Sequence, residues 1–465
     1  MVRITDTGYS TSGSVIARFP NGCLLISDGR VIKPDNSVVD LTPALGTFVG
    51  RWCSMCSAFD DTREVYLCYV ATGYATRVVK LNQETLEKAF DPVHIAGYHG
   101  WFGPMLSLAD RYGAKWVHVP FAGSNERGVY TKWWFYDGVN RRYYEYLDEV
   151  WSYFGELTTP GAPGIRGVMW LYSWGYELFG WSSYFPPPGK LLKIPDWSAD
   201  AGHMTIKPME YGYYAIDVKH LGYPVDHSTY PMFIHDDGYL YFVIRRTSDS
   251  KLVVRRTRRT DLATISEVVI GDGFPTRAVF CDFRRCSSRK YLIAVYATSN
   301  SRTPDPTNTD LYLYTYDVVA NSVSFVTSVA GVYVGSAYGF RGSDGAIKRI
   351  SLENEFYIRL VRSGRKVLVY AKDLYGAPAS LELTVMKAYP QSTFYPIKSS
   401  PMYEKVGSVV TDGSGYAEFT YGGPLALLQF AWASDVEGFA ESSIWMGKPP
   451  LRTVRLGDPT DYVVE

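Results

Sequence analysis

Residues 231–244 read PMFIHDDGYLYFVI, an apolar run that ends in acidic residues, a tight turn at Asp-Gly and a second run rich in aromatic and β-branched residues. This pattern is typical of two β-strands joined by a hairpin. The same order recurs in three strong copies and two weaker ones, at residues 54–70, 104–119, 276–296, 14–41 and 167–182. The one short stretch that could be a helix is residues 82–90. The sequence therefore predicts a repeated, all-β unit.

The spacing of these units is that of β-propeller blades. Four-stranded units that recur in this way bury their faces only against neighbouring units. Six unit starts are visible, and a seventh blade closed by strands from both ends of the segment also fits. A β-sandwich with similar strand spacing is the alternative, but one sandwich accommodates roughly 300 residues poorly. We therefore expect a six- or seven-bladed β-propeller over residues 1–350.

The pattern changes after residue 350. Residues 367–379 are a strand followed by a D-x-x-G-x-P turn, and residues 409–421 read VVTDGSGYAEFTY. Short strands with such turns predict a small β-sandwich over residues 351–450, followed by an extended tail at 451–465. The TDGSGYAEF stretch closely resembles a hairpin of bacterial and archaeal immunoglobulin-like surface modules. That resemblance implies an immunoglobulin-like sandwich that acts as a spacer or a protein-contact unit.

Charge and composition exclude several classes of function. Lys plus Arg and Asp plus Glu both number 47, so the formal net charge is zero, whereas nucleic-acid and anionic-lipid binding need a basic excess. The N-terminus lacks the apolar core of a secretory signal, and no apolar stretch is long enough to cross a bilayer. Tyr, Phe and Trp number 38, 22 and 12, and such residues suit exposed contact surfaces. We expect no nucleic-acid partner, no membrane insertion, and a location on a virion or cell exterior.

Amide and cysteine usage adds to this setting. The chain has three Gln and nine Asn, and depletion of these thermolabile residues is a habit of hyperthermophile proteins. Cys53-x-x-Cys56 has neither a second CxxC nor a His at metal-ligand spacing, so we expect no metal and no cofactor. The six cysteines are then disulfides or buried thiols, and the sequence leaves both alternatives open.

Two stretches of the propeller segment resemble the BNR-repeat propeller family. Residues 227–245, HSTYPMFIHDDGYLYFVIR, look like its TYP-x-F…DG-x-L-x-F-x-x-R stretch. Residues 99–119 look like its H-N-x-P…D-x-x-G-x-x-H-V stretch, and the two stand in the expected order. Members include polysaccharide lyases and many uncharacterised surface and viral proteins. The resemblance spans residues 12–345 and implies a propeller fold.

The resemblance also implies where chemistry would lie. In the family's lyases, His and Tyr remove a proton next to a uronic carboxylate, and Arg neutralises that carboxylate. By position, His99 and His118 would be the candidate bases. Tyr230 would be the proton donor and Arg245 the carboxylate clamp. This chain departs from the family pattern, since no further His follows the strand at His118 and residues 246–251 replace a Gly-rich segment. These departures favour a retained fold without catalysis.

A basic run follows the second of these stretches. Seven Lys and Arg side chains crowd the fifteen positions 245–259. They indicate either a contact for an acidic partner or a charged strand edge that blocks sheet-to-sheet pairing. Adjacent strand residues point to opposite faces, so Arg255 and Arg256 should not form one patch.

The most economical function is a non-enzymatic surface or virion structural protein, such as an attachment or spike component of an archaeal virus. Its partners would be a cell-surface glycan or other virion subunits within an oligomeric assembly. Aromatic and basic side chains suit that task, and we expect the ligand-binding residues to be Trp101, His227, Tyr230, Arg245 and Arg246. The alternative is a polysaccharide lyase or other glycan-active enzyme that uses His and Tyr at the propeller top.

Overall fold

Strands make up nearly all regular structure in the computed structural model. It describes residues 2–96 except 59 and 73–74, the backbone of the strands between 97 and 231, and residues 232–447 with short gaps. The gaps in that last range are residues 236, 238, 246–248, 250, 259–262, 272–273, 275–277, 300–304, 389–402, 424–425 and 436. The predicted tail at 451–465 lies outside the described residues.

The described strands form seven antiparallel sheets that follow one another along the chain, and each is one blade of a β-propeller. The first strand, β1 (Arg3–Ser10), precedes blade 1 and belongs to blade 7. Blade 1 contains β2 (Val15–Arg18), β3 (Leu24–Ile26), β4 (Arg30–Ile32) and β5 (Val38–Asp40), and a one-turn helix, α1 (Thr42–Leu45), follows it. Blade 2 contains β6 (Phe48–Ser57), β7 (Glu64–Ala71), β8 (Ala75–Asn82) and β9 (Val93–Ala96).

The next two blades are described by their strands. In blade 3 the innermost position is divided between two strands, and the members are β10 (Gly100–Phe102), β11 (Leu106–Ala109), β12 (Lys115–Asn125), β13 (Gly128–Tyr136) and β14 (Tyr143–Tyr146). Blade 4 carries an inserted hairpin, β18 (Ser198–Asp200) with β19 (His203–Thr205). Its own strands are β15 (Val168–Trp174), β16 (Glu177–Ser182), β17 (Gly189–Ile194) and β20 (Ile216–Val218).

The last three blades complete the ring. Blade 5 contains β21 (Met232–Ile234), β22 (Tyr239–Arg245), β23 (Leu252–Arg258) and β24 (Thr264–Gly271). Blade 6 contains β25 (Ala278–Arg285), β26 (Lys290–Thr298), β27 (Thr309–Asp317) and β28 (Ser322–Val329). Blade 7 contains β29 (Val332–Ser336), β30 (Gly339–Gly342) and β31 (Ala346–Ser351), with β1 as its outermost strand. Arg3 pairs with Ser351 in this sheet, so both ends of the segment close the seventh blade, which is the seven-bladed form of the two that the sequence allowed.

The propeller core lies between neighbouring blades. The innermost strand β2 contacts β6 of blade 2 and β29 of blade 7, and β25 contacts β29. Fully buried tyrosines fill these interfaces, among them Tyr69, Tyr241 and Tyr296. Their hydroxyl groups are satisfied locally, since Tyr69 donates to the Leu45 carbonyl at 2.8 Å and Tyr296 to that of Ser336 at 2.8 Å. Part of the high tyrosine content is therefore blade packing.

The helix expected at residues 82–90 is wrong, because this segment is a turn. The Asn82 side chain accepts the backbone N–H of Glu84 at 2.9 Å, which competes with helical hydrogen bonding. Leu86 has a φ of +63° and is buried in the core between blades 1 and 2. The energy of burying this leucine outweighs the cost of its left-handed backbone.

The described part of the C-terminal domain is a β-sandwich of seven strands. They are β32 (Asn354–Ser363), β33 (Lys366–Asp373), β34 (Glu382–Ala388), β35 (Tyr403–Val410), β36 (Tyr416–Thr420), β37 (Ala426–Ala433) and β38 (Gly438–Met446). One layer has the order β35-β34-β37-β38 and the other β32-β33-β36, joined by a short parallel pairing of β32 with β38. Phe419 and Phe430 meet edge to face across the core at 5.6 Å. The all-β fold, a propeller followed by a sandwich, is as the sequence predicts.

The TDGSG turn of this domain depends on its second glycine. Gly415 has a φ of +76°, and a Cβ atom there would lie 2.3 Å from the Ala371 carbonyl oxygen. Its N–H donates to Asp412, whose side chain also accepts the N–H of Ser414. The turn is therefore fixed by glycine and aspartate chemistry. The immunoglobulin-like resemblance based on this hairpin stays a prediction.

Candidate functional site

Among the described residues, the C-terminal domain contacts one end of the propeller. Innermost strands finish at that end, which we call the docked end, and begin at the other, which we call the open end because none of the described contacts of the C-terminal domain falls there. The turns after β2, β6 and β25 lie at the docked end, and all three contact the C-terminal domain. The docked end is thus partly occupied by the chain itself.

The turn after β6 continues the sheet of the C-terminal domain. The Thr62 N–H donates to the Leu360 carbonyl at 2.9 Å, and the Arg362 N–H donates to the Asp60 carbonyl at 2.8 Å. Arg359 holds the Asp61 carboxylate with two hydrogen bonds, at 2.9 and 2.6 Å. Blade 2 and β32 are therefore joined by backbone pairing and a bidentate ion pair.

Gln83 ties three parts of the molecule together. It is fully buried, and its Nε2 donates to the Thr62 carbonyl at 2.8 Å and to the Tyr357 hydroxyl at 3.0 Å. Its Oε1 accepts the N–H of Asn21 in blade 1 at 2.9 Å. Every polar atom of this amide is satisfied, which is the condition for burying it at low cost.

The turn after β25 forms the contact of blade 6 with the C-terminal domain. The Gly438 N–H donates to the Cys286 carbonyl at 2.9 Å, and the Ser288 N–H donates to that of Ser434 at 3.2 Å. The guanidinium of Arg285 lies 4.7 Å from the centroid of the Phe439 ring. Blade 6 is therefore fixed to the start of β38.

A carboxylate is buried at the docked end, between blades 1 and 6 and the C-terminal domain. Glu355 accepts hydrogen bonds from Arg284 at 2.5 Å and from Arg18 at 2.9 Å, and the exposed fraction of its side chain is 8%. The Leu352 N–H adds a third bond at 2.8 Å. Burial alone would raise the pKa of Glu355, but the two guanidinium charges outweigh it and lower this pKa to about 2. Glu355 is thus charged at neutral pH and links two blades to the C-terminal domain.

Tyr338 and Asp282 complete this cluster. The guanidinium groups of Arg18 and Arg284 lie 5.0 and 4.8 Å from the centroid of the Tyr338 ring. Asp282 accepts the Ala337 N–H at 2.7 Å, and burial raises the pKa of its carboxyl to about 6. Asp282 is surrounded by protein, yet solvent reaches part of its surface. Each ionic group in this cluster therefore already has a partner within the protein.

The open end carries its own cluster of polar side chains, at the junction of blades 7 and 1. Asp28 accepts the Thr11 hydroxyl at 2.5 Å and the Arg30 guanidinium at 3.1 Å. Arg341 donates to the Thr11 carbonyl at 3.2 Å and stacks over the Tyr333 ring at 3.3 Å. Aromatic faces beside charged donors are suited to polar ligands such as sugars.

Three of the predicted site residues have a described backbone position. Trp101 pairs with Ala122 of β12, near the open end, whereas His118 pairs with Leu106 four positions earlier on β12, about 13 Å along the strand. Arg245 is the last residue of β22, also at the open end. The side chains of these three are not described, and the remaining candidates lie outside the described residues: His99, His227, Tyr230 and Arg246. Their roles stay predictions.

The basic run is divided between opposite faces of blade 5. Arg255 pairs with Glu267 at 2.7 Å, whereas Arg256 pairs with Asp237 at 3.0 Å and stacks over the Tyr239 ring at 3.9 Å. β23 lies between β22 and β24, so the charged-edge interpretation is wrong for this strand. These two arginines stabilise the blade itself.

The cysteines contribute buried thiols. The five cysteines with described side chains, which exclude Cys56, are all buried. Burial raises the pKa of the Cys23 thiol to about 11 and that of Cys286 to about 12, so neither is reactive at neutral pH. In the same part of the chain, no group of three His, Cys, Asp or Glu residues is placed to hold a metal ion. Nor do the described ranges contain a helix that is long and apolar enough to cross a membrane.

Sequence reasoning missed the cluster of Glu355, Arg18 and Arg284. These residues lie far apart in the chain, and no spacing rule connects them. One signal was available, since Glu355 comes only four residues after the last blade strand ends at Ser351, so it lies near the propeller. A carboxylate at that point requires a cation from the blades.

Comparisons with known proteins identify structural likeness only. No family model matches the chain, and no curated protein matches it. An uncharacterised protein of Listeria monocytogenes is 11% identical, with a TM-score of 0.37 over 79% of this chain and 94% of that one. A putative TolB of Agrobacterium tumefaciens is 12% identical, with a TM-score of 0.28 over 75% and 97%. An ulvan lyase of a new polysaccharide lyase family is 10% identical, with a TM-score of 0.30 over 76% and 96%.

Proposed function

We propose that this chain is a non-enzymatic surface protein that binds a glycan at the open end of its propeller. The observation that carries the proposal is the occupied docked end. The C-terminal domain contacts the turns of blades 1, 2 and 6 there, and the Glu355 cluster is buried between blades 1 and 6 and that domain. A ligand that binds on the propeller axis would therefore approach from the open end.

The open end also carries the residue types that such a ligand needs. Trp101 and Arg245 belong to strand ends on this side, and the Arg341–Tyr333 stack and Asp28 lie on the same side. Aromatic rings stack on the apolar faces of sugars, and charged groups bind their hydroxyls or carboxylates. We place the protein in a virion or another surface assembly, in which the sandwich domain would face neighbouring subunits.

The test is glycan binding by the full chain, on an array that includes uronic-acid polymers, with ultraviolet monitoring for unsaturated product. We expect binding without product, and at least tenfold weaker binding for Trp101→Ala and Arg245→Ala. The matched control is Tyr375→Ala, which removes an exposed aromatic ring from the C-terminal domain. Ultraviolet-absorbing product that is lost in His99→Ala would replace this proposal with the lyase alternative. An array without any bound glycan would refute both.

A further inference from the structure

The ring of blades is closed by strand pairing in blade 7. The N-terminal strand β1 pairs with β31, where Arg3 lies opposite Ser351. The Thr7 hydroxyl adds a bond to the Ile347 carbonyl at 2.8 Å. We call this pairing, together with the interface between blades 7 and 1, the closure seam. The chain connects every other pair of neighbouring blades directly, so the ring can open at this seam without breaking a blade.

A buried arginine of blade 7 crosses the closure seam. The Arg349 guanidinium donates to the Gly22 carbonyl of blade 1 at 2.6 Å and to the Lys33 carbonyl at 2.8 Å. Leu374 of the C-terminal domain packs against the same glycine, since a Cβ atom on Gly22 would lie 2.8 Å from a methyl group of this leucine. One turn of blade 1 therefore contacts both blade 7 and the C-terminal domain.

The C-terminal domain is bonded to blades on both sides of the closure seam. Blade 7 lies between blades 6 and 1, because its innermost strand β29 contacts β25 and β2. Glu355 accepts hydrogen bonds from Arg284 of blade 6 and Arg18 of blade 1, so a single carboxylate bridges these two blades. Backbone hydrogen bonds of Leu360 with blade 2 and of Gly438 with blade 6 add to this bridge.

We propose that the C-terminal domain is a clamp that keeps the propeller ring closed. If the closure seam opens, blade 1 moves away from blades 6 and 7. The domain is bonded to both sides, so it must release one of them before the seam can separate. Ring opening then costs the docking contacts as well as the pairing of β1 with β31. The inference concerns the docked end and its test needs no ligand, so it goes beyond the proposed glycan binding and does not depend on it.

Hydrogen exchange of the full chain, followed by mass spectrometry, tests the clamp. Arg359→Ala removes the two charge-assisted hydrogen bonds to Asp61 of blade 2. The amides of β1 are not part of this contact, yet we expect them to exchange about tenfold faster, because weaker docking makes ring opening less costly. The matched control is Lys366→Ala, which removes an exposed ion pair with Glu418 in the same domain and should leave β1 exchange unchanged.

A second docking variant covers the case in which Arg359→Ala is altered in folding. Leu374→Ala removes an apolar contact with Gly22 and changes no charge, so β1 should again exchange faster, by a smaller factor. The backbone amides of Thr62 and Arg362 report in the same samples whether the domain has loosened.

Two results would overturn the clamp. One is a wild-type exchange rate of β1 in both docking variants, and faster exchange at Thr62 and Arg362 would then show that the domain loosens without opening the ring. The other is equal acceleration in every strand, including the blade 6 strand β26, because that result would report global unfolding rather than opening of the closure seam.

Discussion

The two ends of the propeller differ in how their polar groups are paired. At the docked end, groups from distant parts of the chain meet: Glu355 with Arg18 and Arg284, and Gln83 with Asn21 and Tyr357. At the open end, described polar groups are satisfied mainly within one blade junction, as in the group around Asp28. The difference teaches that docking in this chain depends on buried charge, whereas the open end can lose a polar group without separating domains.

The largest effect is expected from Glu355→Ala. The variant leaves the guanidinium groups of Arg18 and Arg284 buried without their carboxylate, so the free energy of unfolding should fall by about 3–5 kcal/mol. Denaturant unfolding measures it. The control is Glu418→Ala, which removes an exposed partner of Lys366 and should change stability little. Equal losses in the two variants would contradict the assigned role of the docked end.

The next effect is a dependence of stability on pH. The pKa of Glu355 is lowered in the folded state, so its stabilising contribution is complete above its ordinary value near 4.5 and is lost as the pH falls towards 2, a change of about 3 kcal/mol. The pKa of Asp282 is raised to about 6, so its charged form destabilises the fold and stability declines as the pH rises from about 4 to about 6.

Two variants separate these contributions. In Glu355→Gln, the fall in the free energy of unfolding below pH 4.5 should disappear. In Asp282→Asn, the decline of this free energy between pH 4 and 6 should disappear. Unfolding free energies measured across the pH series test both expectations. A variant profile that runs parallel to the wild-type profile would show that its group does not titrate in the fold as described.

The sequence was informative where structure depends on neighbouring residues. The runs around the Asp-Gly turn at residues 231–244 predicted strands and hairpins, because alternating burial and turn chemistry are local. The same logic failed at Asn82 and Leu86, where a side-chain hydrogen bond and a core position override helical propensity. Local rules also predicted the opposite faces of Arg255 and Arg256, which pair with different carboxylates.

The charged contacts of the docked end were not predicted from the sequence, for a physical reason. Docking of the C-terminal domain depends on charges separated by hundreds of residues, such as Arg18 and Glu355, and their meeting is a property of the closed ring. Arg349 of blade 7 likewise donates to the carbonyl oxygens of Gly22 and Lys33, which are more than 300 residues away in the chain. Only the family resemblance pointed to His99, Tyr230 and Arg245, and their roles need the binding experiment.

The smallest effect is expected from Asp28→Ala at the open end. The variant removes the acceptor of the Thr11 hydroxyl and of the partly exposed Arg30 guanidinium, so the loss should be about 1–2 kcal/mol. The pH profile should keep both of its declines, because Glu355 and Asp282 are untouched. A loss as large as that of Glu355→Ala, or a changed acid-side profile, would mean that the two ends are coupled through blade 1. An unchanged pH profile would instead mean that side chains at the open end can change to suit a ligand, because the contacts of the docked end hold the domains together independently.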